Sequence, residues 1–289
     1  MTIPITGHTG FTGLLGSPVS HSISPMMHNE SFRMVGLDLI YLCFDVKEEQ
    51  LDTAVAGLKA AGIHGFNLTM PCKNRMVSLC DELSPAASLI GAVNTVVNQD
   101  GKLIGHNTDG IGFWRSAEEV GFSSPGKNVT LMGMGGAATA IAVQAALDGV
   151  KELNIFARPT SRFWQRANNL TDELNKRTTC KVQLFEQQDT STLKKCLDHS
   201  DILVNGTSVG MAPNTETSIL PDSTLLHPEL TVADVIYNPQ ETLLLKQAKA
   251  VGCPVFNGMY MLLYQGAEAF RLWTGVDMPV EHIKERYFK

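Results

Sequence analysis

No stretch of 18 consecutive apolar residues occurs in the 289-residue chain, so no transmembrane helix is expected. The opening MTIPITGHTGFTG has no basic region followed by an apolar one, and does not read as a signal peptide. An excess of positive charge is also missing: 23 Lys and Arg stand against 29 Asp and Glu, a formal net charge of −6. That balance argues against a nucleic acid or an anionic membrane as partner. The six cysteines, at 43, 72, 80, 180, 196 and 253, form no C-x-x-C pair. In a chain this long they read as reduced thiols of a cytoplasmic protein, not as disulfides or zinc ligands. The eight histidines lack ligand spacing, so no metal site is expected.

What the sequence has is alternation. From residue 128, strand-like NVTLM, ELNIFA, KVQLF, DILVNGT and LTVADVIY are interleaved with helical stretches at 136–148, 161–176 and 190–198. That pitch implies a parallel sheet with helices on both faces, a Rossmann-like domain. The first half alternates too. GLLGS, LIYLCFDV and GFNLTM lead into helices over 24–36 and 48–61 and a helix opened by Pro71, and a hairpin follows with its turn at Gln-Asp-Gly. The fold class is therefore α/β: an N-terminal α/β substrate domain over 1–111, a Rossmann-like parallel-sheet domain over 112–256, and C-terminal helices over 257–289. No strand remains for those last helices to alternate with, so they are expected to pack back across the cleft between the domains. The glycines of Gly7-His-Thr-Gly10-Phe-Thr-Gly13 lack a preceding apolar strand and read as a flexible leader.

Gly133-Met-Gly135-Gly136-Ala137-Ala138 sits between NVTLM and the helix-forming AATAIAVQAAL. This is the strand–turn–helix that holds a dinucleotide pyrophosphate. Four clusters lie upstream. Ser22 and Ser24 precede a Pro-started helix, where two hydroxyls could donate to a polyol or carboxylate, although Ser24 also suits a plain N-cap. Asn67-Leu-Thr69-Met-Pro71-Cys-Lys73 ends a strand and puts a lysine in the first turn of the next helix, where the macrodipole disfavours a cation. Such a lysine is inclined toward proton transfer; the plainer alternative is a solvated surface lysine. Gly91-Ala-Val-Asn94-Thr95 and Gly105-His-Asn107-Thr108-Asp109-Gly110 place amides and a carboxylate beside glycines, which ordinary turns also do.

Taken together, these blocks resemble the shikimate dehydrogenase family, which interconverts a ring alcohol and ketone with a nicotinamide cofactor. The matching stretches are GSPVSHSISPMMHN, NLTMPCK, GAVNT, NTDG, GMGGAATA, NGTSVGM and GMYMLLYQGA, in family order from about residue 11 to 289. The AATAIAVQAA and LLYQGAEAFRLWTG segments look most like the bifunctional quinate/shikimate dehydrogenases.

The resemblance implies oxidation of shikimate, and of quinate as well, with Lys73 as acid/base and Asp109 orienting it. It implies substrate contacts from Ser22 and Ser24 to the carboxylate and from Asn67, Thr69, Asn94, Thr108, Tyr237 and Gln265 around the ring. It implies cofactor contacts from Gly133, Gly135, Gly136, Ala137, Thr207, Gly258 and Met261. The loop FARPTSRF, after the second strand of the Rossmann domain, bears on the cofactor. It offers Arg158, Thr160 and Arg162 and no acidic residue, which favours the 2′-phosphate of NADP over NAD. Family members that prefer NADP carry Asn-Arg-Thr-x-x-Arg here, and Ala157 and Pro159 depart from that pattern. NAD stays open as the alternative, as does a homodimer. Two other readings are a related dehydrogenase acting on an aminated or folate substrate, and a dinucleotide-sensing module without catalysis.

Overall fold

A computed structural model describes residues 5–220 and 222–288. The chain divides into two compact units, Met1–Thr108 with Leu263–Lys289, and Asp109–Leu262.

The first unit contains β1 (Gly10–Gly16), α1 (Ser24–Val35), β2 (Leu39–Asp45), α2 (Leu51–Ala60), β3 (Gly65–Leu68), β4 (Glu82–Leu83), α3 (Pro85–Ile90), β5 (Thr95–Gln99) and β6 (Lys102–His106). Its sheet runs β2-β1-β3-β5-β6-β4. The β1 strand is parallel to both neighbours, whereas β5 is antiparallel to β3 and β6. The β5–β6 hairpin turns at Asp100-Gly101 with φ of 51° and 86°. Two left-handed residues make the tight turn whose twist suits a two-residue hairpin, as the Gln-Asp-Gly signal predicts. The core gathers Leu15, Leu51, Ile63, Phe66, Cys72, Met76, Val93 and Val96 on one face of the sheet.

Two expectations are corrected here. Gly10 and Gly13 belong to no leader; they lie in β1, paired with β2. A Cβ on Gly10 would lie 2.7 Å from side-chain atoms of His64 and Leu39, and one on Gly13 would lie 2.6 Å from Phe44. These glycines admit neighbouring side chains, a use of glycine in strands that propensity counts as a break. Nor does Pro71 open an α-helix. Residues 70–74 form turns, followed by a 3-10 segment at Arg75–Leu79. Met76 N reaches Cys72 O at 3.1 Å, but the Lys73 carbonyl is taken by Val93 N at 2.9 Å and Val77 N bonds Asn74 O at 3.3 Å, so the i to i+4 ladder stops after one bond. With no helix there, the macrodipole argument for Lys73 falls.

The second unit begins with α4 (Asp109–Glu118). It continues through β7 (Asn128–Met132), α5 (Gly136–Leu147), β8 (Glu152–Ala157), α6 (Trp164–Arg177), β9 (Lys181–Glu186), α7 (Thr190–Leu197), β10 (Ile202–Asn205), β11 (Thr231–Asp234), α8 (Leu243–Val251) and β12 (Val255–Phe256). The sheet is parallel throughout, in the order β12-β11-β10-β7-β8-β9. Counted from β7 this is 3-2-1-4-5-6, the doubly wound order whose switch point lies between β7 and β10. Small residues let α5 sink into the sheet: Ala138, Ala140, Ala142 and Ala145 are fully buried. The chain ends in α9 (Met259–Thr274) and α10 (Val280–Tyr287); α10 and the part of α9 from Leu263 onward belong to the first unit. Trp273 Nε1 fastens α9 to β5 through the Val96 carbonyl at 2.9 Å. Among the described residues, no helix is long and apolar enough to cross a membrane.

Candidate active site

In the first unit, polar side chains collect where β3 and β5 meet the segment after β6. Asn94 is the hub. Its Oδ1 accepts from Thr108 N at 2.8 Å, and its Nδ2 donates to Thr108 Oγ1 at 3.0 Å and to Gln265 Oε1 on α9 at 3.4 Å. Asn67 donates from Nδ2 to the Asn94 carbonyl at 3.1 Å and to Thr95 Oγ1 at 3.0 Å. Asn94, Thr95 and Thr108 are buried, as is Asn67, while Thr69 and Gln265 are half-buried. A buried amide must be satisfied, and here it is satisfied by other predicted site residues. Asn67 Oδ1 accepts from Tyr41 at 2.8 Å, so this carboxamide is fully engaged within the protein.

Ser22 and Ser24 lie at the start of α1. The Ser22 hydroxyl accepts from Ser24 N at 3.2 Å, and Ile23 occupies the cap position, so Ser24 is not the N-cap. The Tyr41 phenol near Ser24 is buried, and burial pushes it well above its ordinary pKa. Tyr41 in turn stacks on His28, with ring centroids 4.5 Å apart. His28 is fully buried with neither ring nitrogen hydrogen-bonded, and burial drives it down to about 3. It is therefore neutral and packs as an aromatic. Tyr41 escaped the sequence reading, and His28 entered it only as part of the GSPVSHSISPMMHN stretch: a tyrosine in LIYLCFD reads as a core strand residue, and nothing local marks its hydroxyl.

Lys73 is half-buried in the turn after β3, and the turn is stitched to the Gly91–Asn94 segment. Besides the Val93–Lys73 bond, Asn74 Nδ2 donates to Gly91 O at 3.0 Å and Asn107 Nδ2 to Ala92 O at 3.0 Å. Asp109 is the first residue of α4, half-buried. Both Lys73 and Asp109 are engaged by neighbouring groups.

In the second unit, a cavity of about 290 Å³ opens at the switch point. Gly133, Met134, Gly135, Ala157, Arg158, Ser161, Gln187, Gly206 and Thr207 are among its lining residues. Gly133 has φ of 95°, and a Cβ there would meet Thr207 Cγ2 at 2.5 Å. Gly206 would meet the Ala138 methyl at 2.6 Å. Glycine thus keeps the cradle open. Gly135 caps α5 with no side-chain hydrogen bond, leaving the first N–H groups available to an anion. Thr207 is held by its N–H and hydroxyl to Asn205 Oδ1, at 3.0 and 2.7 Å. Asn205 also donates to Asp234 at 3.1 Å, and Asp234 accepts from Thr242 at 2.8 Å. Burial raises Asp234 to about 6 against those hydrogen bonds.

The two arginines of the predicted 2′-phosphate site stand differently, although Phe163 lines the same cavity as Arg158. Arg158 lines the cavity; Arg162 sits over the Phe163 ring, 4.8 Å from its centroid. Thr160 is exposed, and Ser161 is the loop hydroxyl that lines the cavity. Gly136 and Ala137 form the first turn of α5. Tyr237 is exposed beyond β11. Gly258 packs so closely that a Cβ would lie 2.0 Å from the Val235 carbonyl oxygen, and Met261 follows in the first turn of α9. Among the described residues, no group of three or more His, Cys, Asp or Glu could hold a metal ion.

A family model described as the shikimate dehydrogenase substrate binding domain matches residues 14–96, and the shikimate 5'-dehydrogenase C-terminal domain matches 258–286. A shikimate dehydrogenase (NADP(+)) of Listeria innocua is 48% identical over 288 residues, covering 100% of this chain and 99% of the relative. A crystal structure of shikimate 5-dehydrogenase from Listeria monocytogenes, in complex with shikimate and NAD, superposes with TM-score 0.95 at 48% identity, covering 99% of this chain and 98% of that one. The quinate dehydrogenase of Corynebacterium glutamicum, in complex with NAD, gives TM-score 0.84 at 31% identity over 97% of this chain and 99% of that one.

Proposed function

The chain belongs to the shikimate dehydrogenase family, and from that premise we propose that it catalyses the reversible NAD(P)-dependent oxidation of shikimate to 3-dehydroshikimate. The observation that carries the reading is the buried Asn94–Thr108–Gln265 network stitched to the Lys73 turn through Val93. It sets donors and acceptors for a polyol beside a group able to move a proton.

Oxidising a secondary alcohol removes the hydroxyl proton as hydride leaves its carbon. Lys73 Nζ takes that proton, and returns it when the ketone is reduced. Asp109 orients the amine and contacts the same hydroxyl. Ser22 and Ser24 hold the carboxylate; Thr69, Asn94, Gln265 and Tyr237 address the ring hydroxyls. Asn67 and Thr108 hold Asn94. The nicotinamide cofactor supplies the hydride acceptor when bound. Its fit is supported by the glycine cradle and the uncapped start of α5. Arg158 in that cavity, with no acidic residue in the loop, favours NADP(H), with NAD(H) as the weaker alternative. The 31% identical quinate dehydrogenase supports quinate, oxidised to 3-dehydroquinate, as a second substrate. Cytoplasmic residence fits the six free cysteines. Sedimentation decides whether the chain forms a homodimer.

Turnover of shikimate and quinate with each cofactor, followed by nicotinamide absorbance, tests the reading. No turnover of shikimate with either cofactor overturns it, and would fit a sensing module instead. A kcat/KM for quinate below about a thousandth of that for shikimate refutes dual use. Lys73→Ala is expected to lose most of kcat with its melting temperature and cofactor affinity retained; a variant keeping more than about a tenth of wild-type kcat removes Lys73 from the proton step.

A further inference from the structure

Four side chains form a hydrogen-bond chain whose directions are forced by backbone atoms. Thr108 N–H can only donate, so the Asn94 atom it meets at 2.8 Å is oxygen. The Asn94 carbonyl can only accept, so the Asn67 atom 3.1 Å away is nitrogen. Asn67 Oδ1 must then face Tyr41, which donates at 2.8 Å. Between the two amides stands Thr95 Oγ1. It accepts from Asn67 Nδ2 at 3.0 Å and donates to Asn94 Oδ1 at 3.0 Å. Thr95 is wholly inaccessible, at 0% exposure, so it touches no ligand. Its hydroxyl is nevertheless the direct side-chain link between Asn67 and Asn94.

We infer that Thr95 is a positioning residue for substrate binding: its buried hydroxyl, together with Thr108 N–H, holds the Asn94 carboxamide with its oxygen on Thr95 and Thr108 N and its N–H toward Gln265 and the Thr108 hydroxyl. The inference rests on the proposed shikimate reading, because it is the orientation of Asn94 and Gln265 that a polyol would sense. An amide turned the other way would offer an acceptor where a donor is needed, and a hydroxyl-binding site discriminates strongly on that difference. Thr95→Val tests it. Valine keeps the β-branched shape that suits strand β5 but strips the hydroxyl, leaving Asn67 Nδ2 short of an acceptor and Asn94 Oδ1 held by Thr108 alone.

The KM for shikimate is expected to rise at least about fivefold in Thr95→Val, with the KM for NADP+ within about twofold and kcat within about threefold. Thr95→Ser, which restores the hydroxyl, is expected to return the shikimate KM to within about twofold of wild type. A purely structural role would lower the active fraction, and so kcat, while leaving KM unmoved. A shikimate KM unchanged in Thr95→Val, or a Thr95→Ser no better than valine, overturns the inference. If Thr95→Val does not fold, Tyr41→Phe removes the donor to Asn67 while keeping the ring against His28. A rise of about threefold or more in its shikimate KM supports the chain, and an unchanged KM overturns it. Wild-type protein that turns over no shikimate overturns the functional reading and this inference together. Wild-type turnover with an unmoved variant overturns the inference alone.

Discussion

At the residue scale, the two arginines of the cofactor loop differ in place although the sequence spaces them as a pair. Arg158 lines the switch-point cavity, while Arg162 lies over Phe163. A guanidinium on a phosphate dianion forms charge-assisted bonds of about 1.5–3 kcal/mol, or about ten- to a hundredfold in affinity. Arg158→Ala is therefore expected to lower the ratio of kcat/KM for NADP+ over NAD+ by about tenfold or more. Arg162→Ala is expected to change the same ratio by less than about threefold. Equal effects from the two variants would show that the loop rearranges around the cofactor. Single residues were legible from sequence where their chemistry is local. Lys73, Asn94 and Ser22 stand in short motifs beside glycine or proline. Tyr41, His28 and the linking role of Thr95 were not legible, because their significance comes from partners 26, 13 and 28 positions away in sequence.

Elements were legible where a single period or turn rule governs them. The Rossmann strands, the alanine-rich α5 and the Asp-Gly hairpin all follow from local pattern. The misread elements are those where long-range packing overrides the local signal. Pro71 announces a helix, yet Val93 takes the Lys73 carbonyl and the burial of Cys72 and Met76 winds the segment into a 3-10 turn. Gly10 and Gly13 announce a leader, yet the sheet needs their missing side chains. Gly110 shows the same logic between helices. A Cβ there would lie 2.3 Å from the Ala140 carbonyl oxygen, so α4 packs on α5 only because this residue has no side chain. Backbone cannot swing aside as a side-chain tip can. Gly110→Ala is expected to destabilise the protein by about 1–3 kcal/mol, seen as a lower denaturant midpoint with unchanged slope. Because Asp109 precedes it in the first turn of α4, kcat should fall by more than the loss of folded protein explains. A midpoint within error of wild type would show that the helices part without cost.

At the scale of the whole molecule, buried titratable groups make the two units respond oppositely to pH. In the first unit, His28 is held neutral, lowered from 6.5 to about 3. The unfolded chain then binds more protons than the folded one, so the stability is present above pH 6.5 and drains away as pH falls toward 3, by up to roughly 4 kcal/mol. Glu30, lowered to about 2 chiefly by its hydrogen bond from Arg33, acts in the same direction at still lower pH. In the second unit, burial raises Asp234 from 3.8 to about 6, so the folded state binds the extra proton. That contribution is present below pH 3.8 and is lost as pH rises through 6, by up to roughly 3 kcal/mol. Acidification from pH 7.5 to about 4.5 should therefore weaken the first unit while favouring the second. Hydrogen-exchange protection of peptides from β1–β6 should fall relative to that of peptides from β7–β12. His28→Phe keeps an aromatic ring in the Tyr41, Phe270 and Trp273 cluster and removes the titration. Any packing cost of the larger ring is independent of pH, so the slope is what reports on the histidine. The variant should flatten the acid limb of the first unit and leave the second unchanged, while Asp234→Asn should do the reverse. Parallel loss of protection in both units, or a His28→Phe protein with the wild-type slope, would show that these groups do not set the acid response.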